Sequence, residues 1–114
     1  MHHLSEIPGL PWLSVVSTTV GDADSAQRLA QVLLAARLAA CVQVEPVHSH
    51  YRWQGALQAD AEWRLLCKTL PAAVPALLAC LQAEHPYALP QLLVQPQQSS
   101  VAYADWVRQE VALP

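Results

Sequence analysis

Two β-rich runs, Cys41 to Trp53 and Ala56 to Leu70, meet at the dipeptide Gln54-Gly55. A two-residue link ending in glycine between two such runs specifies a β-hairpin. A hairpin fixes register. With Trp53 opposite Ala56, Arg64 falls opposite Glu45 as an opposite-charge pair, and Val42, Val44, Leu65 and Cys67 share the other face, the core side. Pro46 has no N–H to give to a ladder, so a bulge or a sheet edge is expected there. Both runs are more than twice the roughly 5–6 residues of a typical strand, so the hairpin tip is expected to project beyond the body.

The flanking segments supply a pattern around this hairpin. Met1 to Pro11, with two prolines, a glycine and His2-His3, reads as a flexible lead-in, and 12–114 as a single domain. Trp12 to Thr19 is β-branched and apolar, a strand. Gly21 to Ser25 is a turn rich in N-cap residues. A helical stripe of Ala26, Leu29, Ala30, Leu33, Ala36 and the stem of Arg37 follows to Leu38. Pro71 to Glu84 is a second helix that starts near Ala72 to Val74, with Val74, Leu77, Leu78 and Leu81 on its apolar side. Leu89 to Val94 is a short strand, and Ala102 to Val111 a short helix with Tyr103, Trp106 and Val107 on one side. Strand, helix, strand, strand, helix, strand is the order of the ferredoxin-like split βαβ fold, an α+β class with two helices on one face of an antiparallel sheet.

Hydrophobic residues make up 54% of the 114-residue chain and charged residues only 13%, against about 25% in an average domain. A small domain has much surface and here few charges to cover it, so self-association is expected, with sheets of neighbouring copies packed together. The net charge is −3 and the six Lys plus Arg are scattered singly, which argues against nucleic acid and anionic membranes as partners. No apolar run approaches the ~20 residues of a membrane span, and no signal peptide is evident. Cys41, Cys67 and Cys80 are odd in number and form no CxxC pair, which fits a reducing cytoplasm and small packed hydrophobes. Three glycines form no phosphate loop, and no nucleophile elbow or HExxH is present, so no enzyme signature emerges.

The residues with chemistry to offer are few. His48 and His50 leave the same face of a strand, with Arg52 after them. Such a pair can chelate a transition metal, or it can bond to backbone at a subunit interface. His85, in His85-Pro86-Tyr87, is a helix-terminating residue or a third ligand. Tyr51, Arg52 and Trp53 at the tip read as interface anchors, or as an aromatic wall for a small ligand. Glu62, Arg64 and Lys68 alternate along one strand as an ion-paired face or as a charged cleft.

Leu38-Ala39-Ala40-Cys41-Val42, the run His50 to Gly55, Lys68-Thr69 and His85-Pro86-Tyr87 together resemble the CutA family of divalent-cation tolerance proteins, over roughly Val15 to Val107. The resemblance implies a homotrimer of ferredoxin-like subunits anchored through Tyr51 and Trp53. The family name and this chain's own histidines together point to a divalent metal as cofactor, Cu²⁺ foremost, held by His48, His50 or His85. The resemblance also implies inter-subunit clefts, to which Arg52, Lys68 and Tyr87 are assigned. The family shares its trimeric plan with the PII signalling proteins, so the alternative function is a signalling or scaffold trimer that takes a small anionic ligand in those clefts. Departures from the family pattern stand at Ala88 and Gln91, where two Glu are usual, at His50, where an apolar residue is usual, and near Ser17, where some members carry a Cys linked to copper.

Overall fold

The computed structural model describes residues 6–113, so His2 and His3 lie outside the described residues. The elements run β1 (Trp12–Val20), α1 (Ala23–Ala35), β2 (Cys41–Trp53), β3 (Ala56–Thr69), a single 3₁₀ turn (Pro71–Ala73), α2 (Val74–Glu84), β4 (Leu93–Gln98) and α3 (Val101–Glu110). The four strands form one antiparallel sheet in the order β2-β3-β1-β4, the arrangement that the split βαβ pattern predicts.

The hairpin is the element that sequence fixes best. Gln54 and Gly55 both have positive φ, 49° and 80°, the signature of a type I′ turn whose twist matches that of its strands. Register runs from Trp53↔Ala56 through Glu45↔Arg64 to Cys41↔Lys68 without a break. Arg64 reaches Glu45 with both Nε (2.8 Å) and Nη2 (2.5 Å) on Oε1. Of the two options at Pro46, the edge is realised and the bulge is not: β2 is an outer strand and Pro46 pairs in register with Trp63. An outer strand tolerates proline where the missing donor faces outward. The other outer strand, β4, also carries a proline, Pro96, opposite Ser14.

One face of the sheet packs on α1 and α2. Val16 and Val20 of β1 and Leu65 and Cys67 of β3 meet Ala26, Leu29 and Leu33 of α1 and Leu77 and Leu81 of α2, all fully buried. Asp22 caps α1 by accepting from the Ser25 N–H (2.7 Å). The helix ends three residues earlier than the apolar stripe predicts. Arg37 takes φ of 57°. The Arg37 N–H bonds to Leu34 O and the Leu38 N–H to Leu33 O, which is a Schellman closure built without glycine. The Arg37 guanidinium then donates to the carbonyls of Gln109 and Glu110 at 2.6 and 2.9 Å, so the stem expected on the core side instead clamps the end of α3.

Three further expectations change. β4 begins and ends four residues later than Leu89–Val94, because pairing with β1 defines it and an outer strand has no need of apolar side chains. In α3, Ala104 and Val107 are buried, whereas Tyr103 and Trp106 lie on the exposed flank with ring centroids 5.6 Å apart. The helix closes a second small cluster with Leu13, Leu70, Ala73 and Val111, and so covers one end of the sheet's second face from within the chain. The described part of the lead-in is pinned rather than loose: the Ile7 N–H donates to Gln98 Oε1 and Gln98 Nε2 to Ile7 O, both at 2.8 Å.

The projecting tip is as predicted. β1 pairs with β3 only from Trp63 to Thr69, so Val47–Trp53 and Ala56–Glu62 continue as a two-stranded ribbon. The radius of gyration, 15.3 Å, exceeds the ~13 Å expected for a compact chain of this length, as such an arm requires.

Candidate functional site

The base of the ribbon and the loop after α2 enclose a cleft of about 730 Å³. Its position follows from local chemistry. Pro86 stops α2, and His85 adopts extended φ/ψ as the helix cap. The chain then turns across the end of β1 toward the ribbon. His85 anchors that turn. Its Nδ1 accepts from the Tyr87 N–H at 3.0 Å, so Nε2 carries the proton and points to Thr19 O (3.0 Å) and Thr18 Oγ1 (2.9 Å). The ring is 9% exposed. Burial lowers the His85 pKa from its usual value, against the raising effects of the Thr19 carbonyl and the Glu62 charge. The imidazole is thus held neutral by its surroundings.

Tyr87 carries the tie onward. Its ring centroid lies 5.1 Å from that of His85, and its hydroxyl donates to Glu62 Oε2 at 2.9 Å. The hydroxyl passes over Gly21, where a Cβ would sit 3.2 Å from it. Burial, then the Glu62 carboxylate, pushes the Tyr87 pKa up to about 12. Across the cleft the Tyr51 hydroxyl donates to Asp60 Oδ2. That hydrogen bond, ahead of burial and the Asp60 and Glu62 charges, raises the Tyr51 pKa as well. Two tyrosine–carboxylate pairs therefore stand on one face, with Trp53 beyond them at the tip and Leu89 on the loop side.

The residues singled out by sequence distribute unevenly. Tyr51, Trp53, His50 and Tyr87 line the cleft. Arg52 borders a smaller hollow with Leu57 on the ribbon, and Lys68 sits further along β3, opposite Cys41 and Val15. His48 and His50 are both exposed on one face of the ribbon, opposite Ala61 and Ala59, small residues that leave the imidazoles unobstructed. His85 stands apart from them in character: both its nitrogens are engaged inside the chain. No three His, Cys, Asp or Glu converge to hold a metal ion among the described residues. The cysteines are free, and burial pushes the Cys67 thiol up to about 12, which leaves it an inert packed group. Sequence reasoning missed Glu62 and Thr18 as partners of the loop. The Tyr87–Glu62 contact spans 25 residues and has no local signal. Asp60 was unmarked, although the hairpin register puts it near Tyr51.

Comparison with known proteins shows what the chain as a whole is similar to. Residues 14–110 match the family described as CutA1 divalent ion tolerance protein. The divalent-cation tolerance protein CutA of Thermus thermophilus is 40% identical over 97 residues, covering 83% of this chain and 94% of that one. Among solved structures, CutA from Synechococcus elongatus PCC7942 superposes with a TM-score of 0.86 at 45% identity, covering 89% of this chain and 91% of its own. CutA1 from Oryza sativa gives 0.85 at 31% identity, covering 90% and 96%.

Proposed function

This chain belongs to the CutA1 family of divalent ion tolerance proteins, and from that membership and the geometry of its ribbon we propose that it binds a divalent transition-metal ion, copper(II) foremost, as a homotrimer whose neighbouring copies complete the coordination. The observation that carries this reading is the His48/His50 pair, exposed and unobstructed on one ribbon face. Neutral imidazoles suit copper, nickel and zinc, and copper(II) heads the affinity order for such donors. Two imidazoles are half a coordination sphere, and no third ligand converges on them within the described chain. A second copy is the economical source of the rest. Two features support assembly. The ribbon exposes Tyr51 and Trp53 on one face and Leu57 on the other, and on the sheet's second face Leu93, 55% exposed, lies beyond the end that α3 covers. His85 has no place in this site, since metal binding would cost it the Tyr87 and Thr19 hydrogen bonds. The family's description names ion tolerance, not a reaction. No helix among the described residues is long and apolar enough to cross a membrane.

Calorimetric titration with Cu(II), Ni(II) and Zn(II) tests the site, with His2 and His3 changed to Ala in every sample so that the N-terminus contributes no imidazole. Cu(II) should bind tightest, and His48→Ala with His50→Ala should abolish binding. Unchanged binding in the double variant would refute the assignment. Light scattering should give three times the 12.5 kDa chain mass, and a monomer mass for the folded protein would refute the assembly.

A further inference from the structure

We propose that the cleft between the ribbon and the loop after α2 is a binding site for a small organic ammonium ion with an apolar body. His50 borders this cleft as well as belonging to the metal pair, but the ammonium reading makes no use of its imidazole and does not depend on metal binding. Its volume, about 730 Å³, lies within the range of small-molecule pockets, which combine apolar walls with a few placed polar groups. Tyr51, Trp53 and Tyr87 give aromatic walls, and Leu89 adds an aliphatic one.

The fixed charge lining this site is negative, with His50 the one lining residue able to carry a positive charge. Glu62 lines the cleft, and no lysine or arginine does. Asp60 stands two residues from Glu62 on the same strand, so the two share a face. Neither carboxylate enters an ion pair among the described residues. Arg28 is committed to Glu84, Arg64 to Glu45 and Arg108 to Asp105, and Arg37 to backbone carbonyls. Each of the two carboxylates is instead held by a tyrosine hydroxyl, Asp60, beside the cleft, by Tyr51 and Glu62, in its lining, by Tyr87. A carboxylate so positioned retains lone pairs for a second donor. Aromatic faces attract cations through their quadrupole. An ammonium group is therefore matched twice here, by a fixed carboxylate and by electron-rich rings. An anionic ligand meets the Glu62 carboxylate and the same rings, with His50 as the one lining residue of possible opposite charge, and is disfavoured by the carboxylate and the rings alike. This reverses the sign of ligand expected when Arg52 and Lys68 are assigned to the cleft, because neither lines it.

Two probes of nearly the same shape and opposite charge separate the possibilities. Chelator-treated full-length protein is titrated calorimetrically with 2-phenylethylammonium and with phenylacetate. The ammonium should bind, with phenylacetate at least about tenfold weaker. Glu62→Gln keeps the size and the Tyr87 contact but removes the charge, and should weaken ammonium binding by about tenfold, as expected for loss of a charged hydrogen-bond partner. Leu89→Ala, on the exposed loop wall where folding is not at stake, should weaken both probes. Glu84→Gln, whose carboxylate pairs with Arg28, should change neither. Phenylacetate binding as tightly as the ammonium, no binding of either probe, or an unchanged affinity in Glu62→Gln would each overturn the proposal. Because the probes contain no metal and the chelator removes any, failure here leaves the His48/His50 reading standing.

Discussion

His85→Ala puts the architecture of the cleft to the test. The imidazole makes three contacts: it accepts from the Tyr87 N–H, and its Nε2 faces Thr19 O and Thr18 Oγ1. Truncation leaves those groups without their partner at a site only 9% exposed. An unsatisfied buried polar group costs about 1–3 kcal/mol. Water can reach the loop side and recover part of that, so the expected loss is roughly 2–4 kcal/mol, a large share of the ~5–15 kcal/mol that holds a domain together. For a chain of this size each kcal/mol moves Tm by about 4 °C, so the midpoint should fall by roughly 8–16 °C. Urea unfolding at matched protein concentration measures the loss, since self-association would make the midpoint concentration-dependent. Amide hydrogen exchange supplies the local readout: the Tyr87 N–H should lose protection while Val16 and Leu65 in the sheet keep theirs relative to global stability. A loss under about 0.5 kcal/mol with Tyr87 protection unchanged would refute the claim that His85 holds the loop.

Other expectations follow from the same contacts. Because burial depresses the His85 pKa below its ordinary value of 6.5, the unfolded chain binds the proton more readily. The contribution of neutral His85 is therefore complete above pH 6.5 and is lost as pH falls below it toward the folded value; denaturation from pH 8 to 5 should show this loss, and His85→Gln should flatten it. At Arg37, the left-handed φ costs a side-chain-bearing residue about 1–2 kcal/mol, while its guanidinium supports the α3 carbonyls. Arg37→Ala keeps the strain and loses the support, whereas Arg37→Gly loses both, so the glycine variant should be the more stable by about 1 kcal/mol; equal thermal stabilities would remove the strain argument. Trp53→Ala should shift self-association toward monomer, and sedimentation that shows an intact oligomer at micromolar concentration would exclude Trp53 as an anchor.

Legibility from sequence tracked how local each signal was. The Gln54-Gly55 turn and the alternation beside it specified the hairpin, its register and the Glu45–Arg64 pair, because all three follow from neighbours along two paired strands. The end of α1 was misplaced because alanines and the stem of Arg37 extend the apolar stripe, whereas the left-handed conformation of Arg37 depends on α3, more than 70 residues away. β4 was shifted because its apolar start, not its pairing, is what a reader sees in Leu92-Leu93-Val94. In the cleft, Tyr51, Trp53 and Tyr87 stood out as aromatics in short motifs. Glu62 was marked only as part of a charged strand face or cleft, and Asp60 and Thr18 not at all, since their partners come only from what the fold lays beside them.

The prolines of the two outer strands have a consequence for how copies of this chain can meet. Pro46 and Pro96 each remove one rung from the rim of the sheet, so a polypeptide that zips onto either rim must leave a carbonyl unanswered at that point. A single well-fitted neighbour can absorb one such gap with side-chain contacts. A stack of strands growing without limit meets the same gap at every layer, and the mismatch multiplies with length. The rims thus penalise the endless fibril that a long, sparsely charged hairpin would otherwise invite.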